Sequence, residues 1–76
     1  MSNFRTSDLS TAAFLMTLAF PLLKTEVNGR RVVFHFPSKA ADAAPGYLQG
    51  EKVSARGFSV AERDLKSLIH SQHRSG

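Results

Sequence analysis

Cysteine is absent from the 76 residues. That excludes a disulfide scaffold, a thiolate-ligated zinc site and a thiol nucleophile, and it suits a reducing cytoplasm. Tryptophan is absent and tyrosine occurs once, so few rings are left over for stacking on bases. Acidic residues are scarce, six against ten lysines and arginines, for a formal net charge of +4. They are scattered and give no paired carboxylates. No nucleophile elbow or phosphate loop is present either, and each glycine has a turn or cap role. We therefore expect a protein that is not an enzyme and carries no cofactor.

A long hydrophobic run is also missing. The most apolar stretch, residues 11 to 23, is shorter than the about 20 residues a bilayer span needs. As an export signal it is poor: only Arg5 precedes it, Asp8 lies beside it, and no small-x-small cleavage site follows Leu23. Neither secretion nor a membrane is expected. There is no internal repeat, low-complexity tract or dividing linker, so residues 1–76 should form a single domain. Such a chain buries only about 60–65% of its unfolded surface, which keeps its stability modest.

Hydrophobic residues make up 42% of the chain, a globular proportion. The organising stretch is Leu22 to Phe36. Asn28-Gly29 divides two alternating runs and predicts a hairpin over 22–36 with a type I′ turn. Val27 would then face Arg30, Glu26 Arg31, Thr25 Val32, Lys24 Val33 and Leu23 Phe34. Leu23, Thr25, Val32, Phe34 and Phe36 form the core face. Leu22, Lys24, Glu26, Arg31, Val33 and His35 form a mixed face on which Glu26 pairs with Arg31.

Asn3 to Thr6 reads as a short strand for one edge of the hairpin. Ser7 or Asp8 caps a helix over about 8–19. Its stripe is Leu9, Ala12, Ala13, Met16, Ala19 and Phe20, and Pro21 ends it. Phe14, Leu15 and Leu18 fall outside the stripe, so the helix needs cover on more than one side. The preferred reading is cover by the sheet and the last helix. The alternative makes Phe14 and Leu18 a self-association surface and the protein a homodimer. Ser38 can cap a short helix over 39–44, after which Pro45-Gly46 breaks or restarts it. Tyr47-Leu48 returns one apolar anchor, Gly50 suits a helix end, and residues 51–57 look extended around Val53. Ser59 and Glu62 form a capping box for a helix over about 60–72 that buries Ala61, Leu65, Leu68 and Ile69. The expected fold is α+β, in the order β-α-β-β-α-α, with a small antiparallel sheet covered by helices on one face.

On the other side of the last helix, Arg63, Lys66, His70, His73 and Arg74 share roughly 100° of arc. With Arg30 and Arg31 at the hairpin tip they are the candidate binding residues, suited to phosphates or an acidic partner; an ordinary solvated helix face is the equal alternative. Tyr47 and Phe58 are the candidates for base stacking. His70 and His73 could share a metal, but a site needs three or four ligands and His35 is the only other histidine. No metal is expected.

The opening Phe4-Arg5-Thr6-Ser7-Asp8-Leu9, followed by Ala12-Ala13-Phe14-Leu15, resembles a family of short phage and bacterial domains of unknown function. That family's pattern is Phe-x-Thr-x-Asp-Leu, then Ala-Ala-aromatic-Leu. Phe34-His35-Phe36 matches its Phe-x-Phe strand, Tyr47 and Gly50 its later aromatic and glycine, and Leu65-Lys66 its closing helix. The likeness covers nearly the whole chain, but Phe20-Pro21 stands where a glycine is expected after the first helix. It implies a compact α+β domain on a phage or mobile element, and the family has no catalytic residues to carry over; with the cysteine-free composition, the expected location is the cytoplasm of a bacterial host cell. The leading functional expectation is a basic module binding nucleic acid or a nucleoprotein complex. Alternatives are a phage-encoded inhibitor of a bacterial defence (anti-CRISPR-like) or host complex, and a self-associating accessory protein.

Overall fold

The computed structural model describes residues 3–50 and 52–74, with the side chains of 72–74 left aside. Three short strands form an antiparallel sheet, β1 (Phe4–Thr6), β2 (Lys24–Asn28) and β3 (Arg31–Phe36), in the order β1-β3-β2. Four helices accompany it: α1 (Leu9–Thr17), α2 (Ala40–Ala43), α3 (Pro45–Leu48) and α4 (Ala55–Arg74). The expected α+β fold and its hairpin are present. No helix among the described residues is long and apolar enough to cross a membrane.

The hairpin closes one residue later than Asn28-Gly29 predicts. Asn28 faces Arg31, Val27 faces Val32, Glu26 faces Val33 and Thr25 faces Phe34, so Gly29 and Arg30 are the loop. Gly29 has φ +62, while Arg30 is not at positive φ. Positive φ at the first central position alone, filled by glycine, fits a type II′ turn. The type I′ alternative would also force Asn28 to positive φ. The shift sets Val27 opposite Val32 instead of Arg30, and Glu26 no longer faces Arg31. Being a slip of two, it leaves every side chain on its expected face. Val32, Phe34 and Phe36 are buried, whereas Leu23 and Val27 at the margin of that face stay exposed.

β1 lies on the free side of β3, with Phe4 opposite Phe36, Arg5 opposite His35 and Thr6 opposite Phe34. Asp8 then caps α1: its carboxylate accepts from the Thr11 amide at 3.0 Å and the Thr11 hydroxyl at 2.6 Å. Such a cap is worth about 1 kcal/mol. Ala12, Ala13, Phe14 and Leu15 are all buried, so the core face of α1 is centred further round than the expected stripe. α4 packs along α1. The helix ends in a Schellman motif: Phe20 N–H donates to Leu15 C=O (3.1 Å) and Ala19 N–H to Met16 C=O (3.0 Å). Its left-handed position is Ala19, at φ +71. Glycine usually fills that position because a Cβ there is strained.

α2 begins without a side-chain cap, so the expected Ser38 cap does not form; a backbone bond from Ala41 N–H to the Ser38 carbonyl stands in its place. Pro45 restarts the chain as α3. Tyr47 is the anchor, with its ring 5.8 Å from Phe14 and 6.2 Å from Phe58, while Leu48 is 87% exposed. Gly50 ends the turn at φ +78. α4 starts at Ala55 rather than about residue 60. Ser54, not Ser59, is its cap: Gly57 N–H donates to Ser54 Oγ at 3.1 Å. Residues 55–57 are thus helical, not extended. Ala61 and Leu65 are buried, with Ile69 packed against them.

Two substitutions test this backbone. Ala19→Gly relieves the left-handed strain and should stabilise by about 0.5–1 kcal/mol, after the cost of a floppier unfolded chain. Gly57 sits inside a helix, and an added Cβ would meet only ordinary contacts: Ser54 Cβ and Oγ at 3.5 Å and Thr17 Cγ2 at 3.7 Å. Gly57→Ala should therefore gain up to about 1 kcal/mol. Urea denaturation checks both, and a loss of stability in either would contradict the corresponding backbone assignment.

Candidate anion-binding surface

The described acids have mixed settings, and two of them, Glu62 and Asp64, lie on α4 among its cations. Asp8 is held in its cap, and Asp42 lies in the first turn of α2. Glu26 Oε1 accepts from His35 Nε2 at 3.0 Å. An ionised carboxylate can only accept, so Nε2 carries the proton of that bond. Among the described residues this is the one ion-pair geometry, and no lysine or arginine takes part in another. The described lysines and arginines are exposed and form no ion pair.

Arg30 and Arg31 are exposed at the hairpin tip, and Arg63, Lys66 and His70 are exposed on α4. The side chains of His73 and Arg74 lie outside the described residues. The hairpin and α4 meet in a depression of about 420 Å³ lined by Ser7, Arg30, Arg31, Val32, Phe34 and Ile69. Ile69 marks the border between the two faces of α4. At about 100° per residue, Lys66 and His70 lie roughly 60° and 100° round the axis from it, on the side away from Leu65 and Ala61. The hollow is lined by the turn arginines and, from α4, by Ile69; Lys66 and His70 lie on the neighbouring side of the helix, and Glu62 is on that side too.

Phe14 is 1% exposed, as the preferred reading of an α1 covered on more than one side expects; the alternative self-association surface would need it open. Leu18 is partly buried against the same core. Both are covered because α1 is enclosed on several sides. Tyr47 and Phe58, the stacking candidates, are half-buried and packed against each other. His35, expected on an open mixed face, is only 6% exposed. It occupies the central strand, with Arg5 and Lys24 opposite it on the two neighbours. Long cationic side chains in such positions lay their methylenes over a neighbour while keeping the charge wet.

Arg5 is the residue that sequence reasoning missed. With Lys24 and Arg31 it shares the sheet face opposite the core, where Glu26 is the one carboxylate. The signal was available, since a strand over 3–6 that buries Phe4 must turn Arg5 the other way. A second depression of about 290 Å³ lies on this side, lined by Arg5, Thr6, Ser7, Glu26, Asn28, Arg31 and Val33. Among the described residues, no three histidine, aspartate or glutamate side chains gather as a metal site requires. Compared with protein-family models, curated proteins and solved structures, the chain finds no match.

Phe14→Ala should cost about 3–5 kcal/mol, the penalty for emptying a tightly packed aromatic site. The measurement is urea unfolding at two protein concentrations. A fully stable variant that merely dissociates would restore Phe14 to a subunit interface.

Proposed function

We propose that this protein is a small basic binding module, without catalytic activity, that contacts nucleic acid or a nucleoprotein complex. Following the resemblance of its sequence, we place its origin in a phage or mobile element. One observation carries the reading: Arg30 and Arg31 meet α4 at a single hollow, and no described lysine or arginine is neutralised from within. A row of unpaired cations spread over two elements suits a polyanion with repeating charges. Each phosphate neutralised releases counterions, which supports binding without base recognition. Tyr47 and Phe58 are half-buried and packed against each other, which favours backbone contact over base stacking.

The test is fluorescence anisotropy with short DNA and RNA duplexes and single strands. Affinity should fall steeply between about 50 and 200 mM salt. The double substitution Arg63→Glu with Lys66→Glu should weaken binding at least about tenfold and lower the salt slope by about 2, one for each lost phosphate contact. Both side chains are exposed, so the fold should survive, and circular dichroism checks that it does. Wild-type protein that binds no nucleic acid at low salt overturns the proposal.

A further inference from the structure

We propose that Arg5 and Arg31 form a phosphate-binding subsite on the open face of the sheet, in the hollow beside the end of β1. The idea that this phosphate belongs to a nucleic-acid backbone rests on the function proposed above; the subsite itself does not.

Arg5 comes from β1 and Arg31 from β3, and both residues line the same depression of about 290 Å³. Like charges gathered at one hollow repel unless an anion lies between them. The nearby carboxylates do not pair with either arginine. Glu26, on the rim, accepts from His35 Nε2 at 3.0 Å, and Asp8 is turned away to the Thr11 amide and hydroxyl. Glu26 offsets one of the two positive charges and leaves the other uncompensated.

The rest of the lining supplies neutral donors. Thr6 Oγ1 accepts from the Asp8 amide at 3.1 Å, which leaves its own hydroxyl proton free to point elsewhere. Ser7 and Asn28 add a hydroxyl and a side-chain amide. Planar guanidinium forks with short hydroxyl and amide donors suit a tetrahedral oxyanion that accepts on every oxygen. A carboxylate, with two oxygens, would use fewer of them.

Position joins this subsite to the larger surface. Ser7 and Arg31 line both depressions, and β1 ends at Thr6. The two hollows lie on opposite faces of the sheet and share Ser7 and Arg31, so a single ligand could follow a track round them from the sheet face to α4. A phosphodiester chain following the track would place one phosphate between Arg5 and Arg31 and others along α4.

The test is amide NMR of the intact protein titrated with sodium phosphate, against sodium chloride at matched ionic strength. Saturable shifts specific to phosphate should appear at Thr6, Ser7, Asn28 and Arg31. They should vanish in Arg5→Gln and in Arg31→Gln and persist in the remote control Lys39→Gln. Unchanged spectra elsewhere would show that each variant folds. Shifts reproduced by chloride, or retained in both arginine variants, overturn the subsite. Anisotropy with DNA then identifies the source of the phosphate. Weaker DNA binding by Arg5→Gln points to the backbone; unchanged DNA binding with phosphate binding lost points to a small phosphate-bearing ligand. If Arg63→Glu with Lys66→Glu abolishes DNA binding while the phosphate shifts remain, the subsite stands independently of the helix surface. If wild-type protein binds phosphate here but no nucleic acid, the subsite stands and the proposed function falls.

Discussion

The burial of Phe34 and Phe36 on one face of the central strand is the constraint on which the molecule depends. β3 has a neighbour on each side, and no disulfide is available to share the load. Its inner face meets helices whose own apolar surfaces would otherwise be wet. α1 is buried through four consecutive residues, Ala12 to Leu15, which is tolerable only because α4 and the sheet enclose it from different directions. The rings of Phe14, Tyr47 and Phe58 extend this packing across α1, α3 and α4. Tilted aromatic pairs of this kind contribute about 0.5–1.5 kcal/mol each beyond the area they bury.

The same economy explains the charged exterior. Asp8 serves a helix terminus and Glu26 serves a buried histidine, both duties that a basic residue could not perform. The described lysines and arginines stay outside and form no ion pair, although Asp42 and Asp64 are exposed there as well. The excess positive charge is thus concentrated on the surface by the local needs of the fold.

Much of this was legible. Alternation about Asn28-Gly29 gave the hairpin and its inner phenylalanines, and Asp8 and Pro21 bracketed α1. What stayed hidden has physical causes. Ser54 and Ser59 are both competent caps, and Gly57 disguised the first turn of α4 as a loop. Phe14 and Leu15 lie off the simple stripe because a small core draws on several sides of one helix. The exposure of Arg63, Lys66 and His70 followed from helical periodicity, but the meeting of α4 with the hairpin tip depends on tertiary packing that no local pattern encodes. Arg5 was overlooked because a three-residue strand carries too little alternation to draw notice.

The turn at Gly29-Arg30 bears on how this chain can vary. Moving the reversal point by one position changed each residue's partner yet preserved its side of the sheet. The arithmetic of that ribbon is therefore modulo two. Lengthening or trimming the tip by an even number of residues keeps the interior composition intact and only relocates the two arginines. An odd change must be absorbed by a bulge. Reach of the basic tip and integrity of the hydrophobic interior are thereby uncoupled, and the loop can be retuned without renegotiating the core.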